Sequence, residues 1–209
     1  MNTIKITPSS LQGKILVPPS KSLCHRAIIA AGLANDTCNV ENVVFSEDIL
    51  ATCNAMRGLG VSVTKGKNNA IINGKNFSNK TENNIDCSES GSTLRFLIPI
   101  ALLTGSEFTF TGKGRLVTRP LTPYYKMFKE QDIKYSSNDG LPLTVKGKLK
   151  AGVYKLPGNI SSQFITGLLF ALPLLKGNSK IIVTTELESK AYVDLTIDIL
   201  SKFSVHVEN

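Results

Sequence analysis

Three copies of one pattern, about 70 residues apart, constrain the fold of this 209-residue chain more than any other feature. Each copy opens with a turn of small residues and continues into an almost wholly apolar stretch of helical length. The three openings are 19–34, 88–105 and 159–177. The chain is therefore expected to fold as three similar units.

The segments that follow each opening predict a βαβαββ unit. The first two units close with paired strands, VSVTKG with AIINGK and IKYSS with LPLTVKG, and the turns between them suit hairpins. The third has only VHVEN in that place, so we expect it to be incomplete. The predicted strands after the opening helices are 37–43, 106–112 and 179–187, and the predicted amphipathic helices are 46–60, 119–132 and 190–203. The predicted repeats are 16–76, 77–150 and 151–209.

The polarity of the helices indicates how the units pack. The opening helix of each unit is apolar on all sides, which is typical of helices buried in a core. The second helix carries polar residues along one face and should lie outside. We therefore predict an α/β (α+β) fold in which three βαβαββ repeats pack with pseudo-threefold symmetry around three buried helices, as one domain over 1–209.

Composition excludes several classes of protein but does not identify a ligand. The chain is 42% hydrophobic and 19% charged, which excludes collagen-like and wholly disordered proteins. No apolar run reaches the roughly 18 residues of a membrane span. The N-terminus lacks the apolar core of a signal peptide, so we expect a cytoplasmic protein with no membrane partner. The net charge of +8 favours an anionic partner.

Cysteine and histidine spacing argues against a metal site. The four cysteines show no CxxC pattern, and the chain has only two histidines. We predict that the cysteines are plain thiols, mainly buried, and that the protein binds no metal.

The starts of the three apolar helices predict an anion site. A helix N-terminus offers free backbone N–H groups and a partial positive charge. All three helices begin with Ser, Thr or Gly, which leave those groups accessible to an anion. Threefold packing would bring the three N-termini near one end of the domain, where a ligand with several anionic groups would fit.

Side chains at these helix starts agree with an anion site. Ser22 and Arg26 share one helix face by their i, i+4 spacing, and a guanidinium beside a hydroxyl suits phosphate or carboxylate. Taken singly, these residues are also typical of ordinary structure: a serine as a helix cap, a glycine in a tight turn or a lysine in solvent. Recurrence at equivalent places in three repeats favours the site. The candidate residues are Lys21, Ser22, Arg26, Gly91, Arg119, Ser161, Ser162, Gln163, Ser189 and Tyr192.

The sequence resembles the 3-phosphoshikimate 1-carboxyvinyltransferase, or EPSP synthase, family. The P-S-K-S-x-x-H-R and S-S-Q-F segments are highly specific, and the matches follow the family's order along the whole chain. The matching stretches are PSKSLCHRAIIAAGLA, SESGSTLRFLIPIALLTG, GKGRLVTRPLTPY, GNISSQFITGLLFALPL and ESKAYVDLTIDIL. The resemblance implies an inside-out α/β barrel type of domain. It covers the N-terminal half of a two-domain enzyme.

The resemblance also implies a reaction. The enolpyruvyl group of phosphoenolpyruvate would pass to the 5-hydroxyl of shikimate 3-phosphate with release of phosphate, a transferase step of the shikimate pathway towards chorismate and the aromatic amino acids. No cofactor is implied. The implied partners are the two substrates and the absent C-terminal domain, with which the first 15 or so residues are expected to associate. A monomer is expected.

The resemblance assigns roles residue by residue. Ser22 and Arg26 would bind the shikimate carboxylate. Ser161, Ser162 and Ser189 would bind its 3-phosphate. Gln163 and Tyr192 would border the shikimate ring, and Gln163 would also contact phosphoenolpyruvate. Gly91 and Arg119 would bind phosphoenolpyruvate, and Lys21, the candidate catalytic residue, would lie between both substrates.

Two features qualify what this chain does alone. Glu89 stands where the family commonly has a neutral residue, and its carboxylate would repel phosphoenolpyruvate unless it points away or pairs with a cation. The family's catalytic Asp and Glu belong to the absent half. We therefore expect this chain to bind shikimate 3-phosphate without turning it over.

Three other functions fit the sequence less well. A UDP-N-acetylglucosamine enolpyruvyl transferase would carry a reactive Cys before the second-repeat Arg-Pro, and the segment 112–120 has none. Cyclases that act on RNA 3′-phosphate would lack P-S-K-S-x-x-H-R. A basic nucleic-acid-binding module should interleave aromatic residues with cations, but the chain has no Trp and only 7% aromatic residues, so we expect no nucleic-acid partner.

Overall fold

The computed structural model describes residues 3–208, and its helices follow the predicted pattern. Each of the three apolar openings forms a helix, and a second helix follows in each repeat. The helices are α1 (Lys21–Leu33), α2 (Glu47–Gly58), α3 (Gly91–Ala101), α4 (Thr122–Glu130), α5 (Ser162–Ala171) and α6 (Lys190–Ser201).

Within residues 3–208 the strands form three sheets, one for each repeat. The first sheet is antiparallel, in the order β1-β3-β2, and the second has the order β4-β5-β7-β6 with β4 and β5 parallel. The third pairs β8 with β9 in parallel. The strands are β1 (Thr37–Glu41), β2 (Ser62–Lys65), β3 (Asn69–Asn73), β4 (Asn84–Asp86), β5 (Glu107–Thr111), β6 (Lys134–Ser137), β7 (Leu143–Lys146), β8 (Val153–Leu156) and β9 (Lys180–Val183).

The three opening helices make the centre of the core, as their apolar sequences predict. Nearly every residue of α3 and α5 is buried, and α1 is buried from Cys24 to Gly32 except at Ala27. Helices α3 and α5 approach closely at Gly167, where an added Cβ would lie 2.4 Å from the Arg95 carbonyl oxygen and from the Tyr124 hydroxyl. A side chain at this position would separate the two helices, so the glycine sets their spacing.

The first repeat lacks its predicted leading strand among the described residues. By analogy with β4 and β8, this strand would lie just before α1 and pair in parallel with β1. Residues 3–20 instead contain neither helix nor strand. The apolar side chains of Ile15 and Leu16 are 87% and 99% exposed, with no neighbouring strand to cover them. A strand needs such a partner, so local sequence alone does not form it here.

The start of one predicted helix moves. Helix α4 begins at Thr122 instead of at Arg119. Arg119 therefore lies in the loop before the helix and not at its first position, so the predicted start of the range 119–132 is wrong. The third repeat contains β8, α5, β9 and α6, and the described residues after α6 form no strand.

The four cysteines are free thiols. Cys24, Cys53 and Cys87 are buried, and Cys38 is half-buried. Burial raises the pKa of Cys53 to about 11, which keeps that thiol protonated at neutral pH. In the part of the chain that the structure describes, no helix combines the length and apolar character required to cross a membrane.

Candidate functional site

Serines cap the three central helices at equivalent positions of the three repeats. The side chain of Ser20 accepts from the backbone N–H of Leu23 at the start of α1, and Ser90 and Ser161 do the same for α3 and α5. Each cap occupies one of the free N–H groups at the helix start and leaves others available. The sequence therefore builds three similar helix N-termini.

These N-termini border one cleft of about 340 Å³. Helix α1 contributes Ser22, α3 contributes Ser92, and α5 contributes Ser162, all within the first two positions of their helices. The remaining lining comes from the sides of these helices, the loop before α4 and the start of α6. The other lining residues are Arg26, Arg95, Phe96, Arg119, Ser161, Gln163, Ser189 and Tyr192.

Arg26 lies almost completely buried at the base of the cleft, where it connects three helices. Its Nε donates to Thr196 Oγ1 at 2.8 Å, and its Nη2 donates to the Tyr192 carbonyl oxygen at 2.9 Å and to Thr166 Oγ1 at 3.4 Å. Nη1 donates to the Ser22 carbonyl oxygen at 3.0 Å. Since a guanidinium has five N–H groups, one N–H on Nη1 remains for a ligand.

Arg95 is a second buried guanidinium in the lining. It donates from Nη1 to Gln163 Oε1 at 2.8 Å, while Gln163 Nε2 donates to Ser92 Oγ at 3.0 Å. These two contacts fix the orientation of the Gln163 amide between α3 and α5. The Nε of Arg95 is buried and has no hydrogen-bond partner, and Cζ lies 4.8 Å from the centre of the Phe164 ring.

Arg119 contributes a third guanidinium, from the loop before α4. A Cβ added to Gly91 would lie 2.9 Å from Arg119 Nη1 and 3.5 Å from Gln163 Oε1. Glycine at position 91 therefore lets the guanidinium and the amide lie directly over the backbone at the start of α3. The positive charge, the helix N-terminus and the amide converge at this edge of the cleft.

The three guanidiniums have no carboxylate partner among residues 3–208, since none of the ion pairs there involves Arg26, Arg95 or Arg119. Burial lowers the pKa of Arg26 to about 10. Burial, and then the neighbouring charge of Arg119, lower the pKa of Arg95. Both groups remain cationic at neutral pH. A buried cation without a counter-charge costs several kcal/mol, roughly, and an anionic ligand would offset that cost.

Hydroxyl groups and an aromatic ring complete the lining. Ser189 occupies the N-cap position of α6, but its hydroxyl makes no cap hydrogen bond. The hydroxyl of Ser161 does accept from the backbone N–H of Gln163 at 3.3 Å, so it serves as a cap as well as lining the cleft. The Tyr192 ring is half exposed and lies over the Arg26 guanidinium, with Cζ 5.7 Å from the ring centre.

Two candidates from the sequence do not line the cleft. Gly91 lies beneath Arg119 at its edge, as described above. Lys21 points away towards α2, where its Nζ lies 2.5 Å from Asp48 Oδ2. The other eight candidates, namely Ser22, Arg26, Arg119, Ser161, Ser162, Gln163, Ser189 and Tyr192, come together in one place.

Glu89 does not line the cleft. Its carboxylate lies over the backbone of Gly114, since a Cβ added there would be 2.6 Å from Glu89 Cδ. Gly114 has φ +57°, a conformation that favours glycine, and the absence of a side chain makes room for the carboxylate. The sequence expectation that Glu89 must point away or pair with a cation is met by the first alternative.

The candidate residues predicted from the sequence do not include four residues of this region. Arg95, Ser92 and Phe96 line the cleft, and Asp48 pairs with Lys21. The spacing of Arg95, one helical turn after Gly91, was the available sign of its position. No feature of the sequence indicated the position of Asp48, because its proximity to Lys21 depends on how α2 packs against α1.

Comparison with known proteins identifies similar sequences along the whole chain. A family model for EPSP synthase (3-phosphoshikimate 1-carboxyvinyltransferase) matches residues 6–209. A 3-phosphoshikimate 1-carboxyvinyltransferase from Clostridium kluyveri is 56% identical over 209 residues, and one from Clostridium novyi is 57% identical over 219 residues. Each alignment covers 100% of this chain but only 49% and 50% of the relative. The chain thus spans about half the length of these curated relatives.

Comparison of structures agrees with the comparison of sequences. A solved EPSP synthase from Acinetobacter baumannii superposes with a TM-score of 0.80 at 26% sequence identity. The superposition covers 94% of this chain and 45% of the other. The α/β fold described above is therefore shared with one half of that protein.

Proposed function

This chain belongs to the EPSP synthase family, and we propose that it provides the shikimate 3-phosphate-binding half of a 3-phosphoshikimate 1-carboxyvinyltransferase. In the proposed reaction the 5-hydroxyl of shikimate 3-phosphate loses its proton and its oxygen bonds to C2 of phosphoenolpyruvate, while C3 gains a proton, giving a tetrahedral intermediate. Loss of inorganic phosphate from C2 and of a proton from C3 regenerates the double bond. The products are 5-enolpyruvylshikimate 3-phosphate and phosphate.

One observation carries this proposal: three guanidiniums and three helix N-termini surround one small cleft, and the guanidiniums have no carboxylate partner among residues 3–208. Two substrates that both carry phosphate and carboxylate groups repel each other. Cations and oriented N–H dipoles are needed to hold them at reacting distance. A preorganised set of such groups also stabilises charge that develops in the transition state.

The cleft divides into two regions that suit the two substrates. Ser22 and the free N–H of Arg26 suit the shikimate carboxylate. Ser161, Ser162 and the free hydroxyl of Ser189 suit its 3-phosphate, which would lie at the N-terminus of α5.

Gln163 and Tyr192 would border the shikimate ring between those two groups. At the other edge, the backbone of Gly91 and the guanidinium of Arg119 suit phosphoenolpyruvate, with the Gln163 amide beside both. We propose Lys21 as the group that stabilises charge or transfers a proton where the two substrates meet.

The proposal extends to the whole protein. We propose a cytoplasmic monomer in which a second half provides the catalytic carboxylates and closes over the substrates to exclude water. This chain alone is then expected to bind shikimate 3-phosphate without releasing phosphate from the pair of substrates. The groups assigned above need neither a metal nor an organic cofactor.

Calorimetric titration of the purified chain tests the proposal. Shikimate 3-phosphate should bind saturably at one site, and shikimate without its phosphate should bind roughly tenfold more weakly or worse, because charge-assisted hydrogen bonds are lost. Arg26→Met should weaken both ligands. Titration with single-stranded DNA tests the alternative function. Saturable binding of DNA with no response to shikimate 3-phosphate would refute the proposed enzyme function and favour a nucleic-acid-binding protein.

A further inference from the structure

Helices α1 and α2 face each other through two polar contacts one helical turn apart. Lys21 Nζ donates to Asp48 Oδ2 at 2.5 Å, and His25 Nδ1 lies 2.7 Å from Thr52 Oγ1. Lys21 and His25 are four residues apart on α1, as are Asp48 and Thr52 on α2, so each pair shares one face of its helix. The outer contact lies at the surface and the inner one is buried.

The inner contact continues into a buried chain of hydroxyl groups. Thr52 Oγ1 lies 2.7 Å from Thr93 Oγ1, and Thr93 Oγ1 lies 2.7 Å from Ser90 Oγ, the N-cap of α3. Thr93 Oγ1 also lies 3.4 Å from the backbone oxygen of Asp48. Since Thr52 and Thr93 are fully buried, these linked hydroxyl groups fix α2 against α1 and α3. The backbone of Asp48 is fixed with the helix.

The two faces of α1 therefore have different roles. Ser22 and Arg26 face the cleft, whereas Lys21 and His25 face α2. The Lys21 side chain is 58% exposed and flexible, and without a partner its ammonium would sample many positions. The Asp48 carboxylate is only 26% exposed and belongs to the first turn of a fixed helix. It confines the ammonium beside the start of α1.

We propose that Asp48 is a positioning residue that holds the Lys21 ammonium at the first turn of α1, where the next residue, Ser22, lines the cleft. The inference rests on the proposed function, in which Lys21 acts where the two substrates meet. Asp48 itself contacts neither substrate. Its carboxylate confines the ammonium near the start of α1 and so reduces the conformational entropy that ordering the Lys21 side chain would otherwise cost on binding.

The alternative is an ordinary surface ion pair. The pair of Lys150 and Asp132, at 3.5 Å, is such a case, with side chains 65% and 86% exposed and neither residue in the cleft. Exposed pairs of this kind contribute little. Asp132→Asn therefore provides a control that makes the same change of charge away from the site.

The test uses the full chain with Asp48→Asn, Asp48→Glu and Asp132→Asn. The first readout needs no ligand: the nitrogen-15 NMR signal of the Lys21 ammonium, which a fixed partner protects from exchange with water. It should be seen in the wild-type chain and in Asp132→Asn, disappear in Asp48→Asn, and return at least partly in Asp48→Glu. A Lys21 signal that is unchanged in Asp48→Asn would overturn the positioning role.

The second readout is affinity for shikimate 3-phosphate. Asp48→Asn should weaken it roughly two- to fivefold, within the range that single charge contacts supply, and Lys21→Met should make the loss of Asp48 inconsequential. Tighter binding by Asp48→Asn would show that Asp48 competes with the ligand for Lys21 and would contradict the proposal. A wild-type chain that does not bind shikimate 3-phosphate refutes the proposed function, while the ammonium signal still decides whether Asp48 holds Lys21.

Discussion

Gly91 shows how one residue without a side chain shapes the site. The Arg119 guanidinium and the Gln163 amide both lie over its backbone, and the guanidinium is too close to leave room for a Cβ. The guanidinium is at the end of the exposed, flexible side chain of Arg119. A methyl group at position 91 would therefore move the guanidinium and leave α3 in place.

We expect Gly91→Ala to affect the two substrates differently. Affinity for shikimate 3-phosphate should change less than about twofold, whereas affinity for phosphoenolpyruvate in its presence should fall roughly tenfold, because one charge-assisted contact is displaced. Calorimetry with each ligand measures both. Gly58→Ala is the matched control, since its added methyl would meet only Glu82 Cβ, at 3.8 Å. An equal loss for both ligands would mean that α3 itself had moved.

His25 makes the stability of the protein depend on pH. Burial, partly opposed by the charge of Asp48, lowers its pKa from 6.5 to about 4, and its Nε2 has no hydrogen-bond partner. The unfolded chain therefore binds a proton below pH 6.5 that the folded chain takes up only near pH 4. The free energy of unfolding should fall by a few kcal/mol as the pH drops through this interval.

Chemical denaturation at a series of pH values checks this expectation. The wild-type chain should lose more stability between neutral pH and pH 4 than His25→Gln does, because only the wild-type chain has this buried titrating group. His206→Gln, which removes the exposed histidine, should follow the wild-type curve. Parallel curves for the wild-type chain and His25→Gln would mean that the imidazole titrates alike in the folded and unfolded chains.

At the level of elements, the contact of α3 with α5 determines the width of the cleft. Gly167 lets the Arg95 carbonyl and the Tyr124 hydroxyl lie against the backbone of α5, and Tyr124 donates to that carbonyl at 2.5 Å. Arg95 in turn orients the amide of Gln163. The packing of two buried helices is thus coupled to the orientation of a side chain that would contact the substrates.

Gly167→Ala should destabilise the protein by about 1–3 kcal/mol, since the new methyl would meet backbone and a buried hydroxyl that cannot easily move. Thermal or denaturant unfolding measures the loss. Gly58→Ala, again with room for its methyl, should be neutral or slightly stabilising because alanine favours helix. If the two variants were equally stable, the close approach of α3 and α5 would contribute nothing to the free energy of unfolding.

The sequence predicted the elements well where the pattern is local. The six helices and two hairpins lie where periodicity and turn residues placed them, and Ser22, Gly91 and Ser162 emerged because the three repeats align. The leading strand expected for the first repeat does not form, because residues 3–20 have no partner strand among the described residues. The contacts of Arg95 and Asp48 were not predicted because they depend on Gln163 and Lys21, which lie in different elements and meet them only after folding.

At the scale of the whole molecule, the positive charge divides into two kinds. The guanidiniums around the cleft have no carboxylate partner in the described range 3–208, and there they converge on one place. Two lysines outside the cleft instead contact neighbouring residues: Lys65 Nζ, in β2, lies 4.8 Å from the centre of the Phe45 ring, and Lys80, in the loop before β4, donates to Asn83 Oδ1 at 2.6 Å. The positive charge available to an anionic ligand is therefore that of the guanidiniums around the cleft and not the net charge of the chain.

The position of bound shikimate 3-phosphate tests this account most directly. Backbone amide shifts of the nitrogen-15-labelled chain, followed through a titration, should move saturably at Ser22, Ser162 and Ser189. Those of the hairpin at 62–73 should stay in place. Shifts confined to that hairpin, or no saturable shift anywhere, would contradict the claim that the helix N-termini and guanidiniums of the cleft form the binding site.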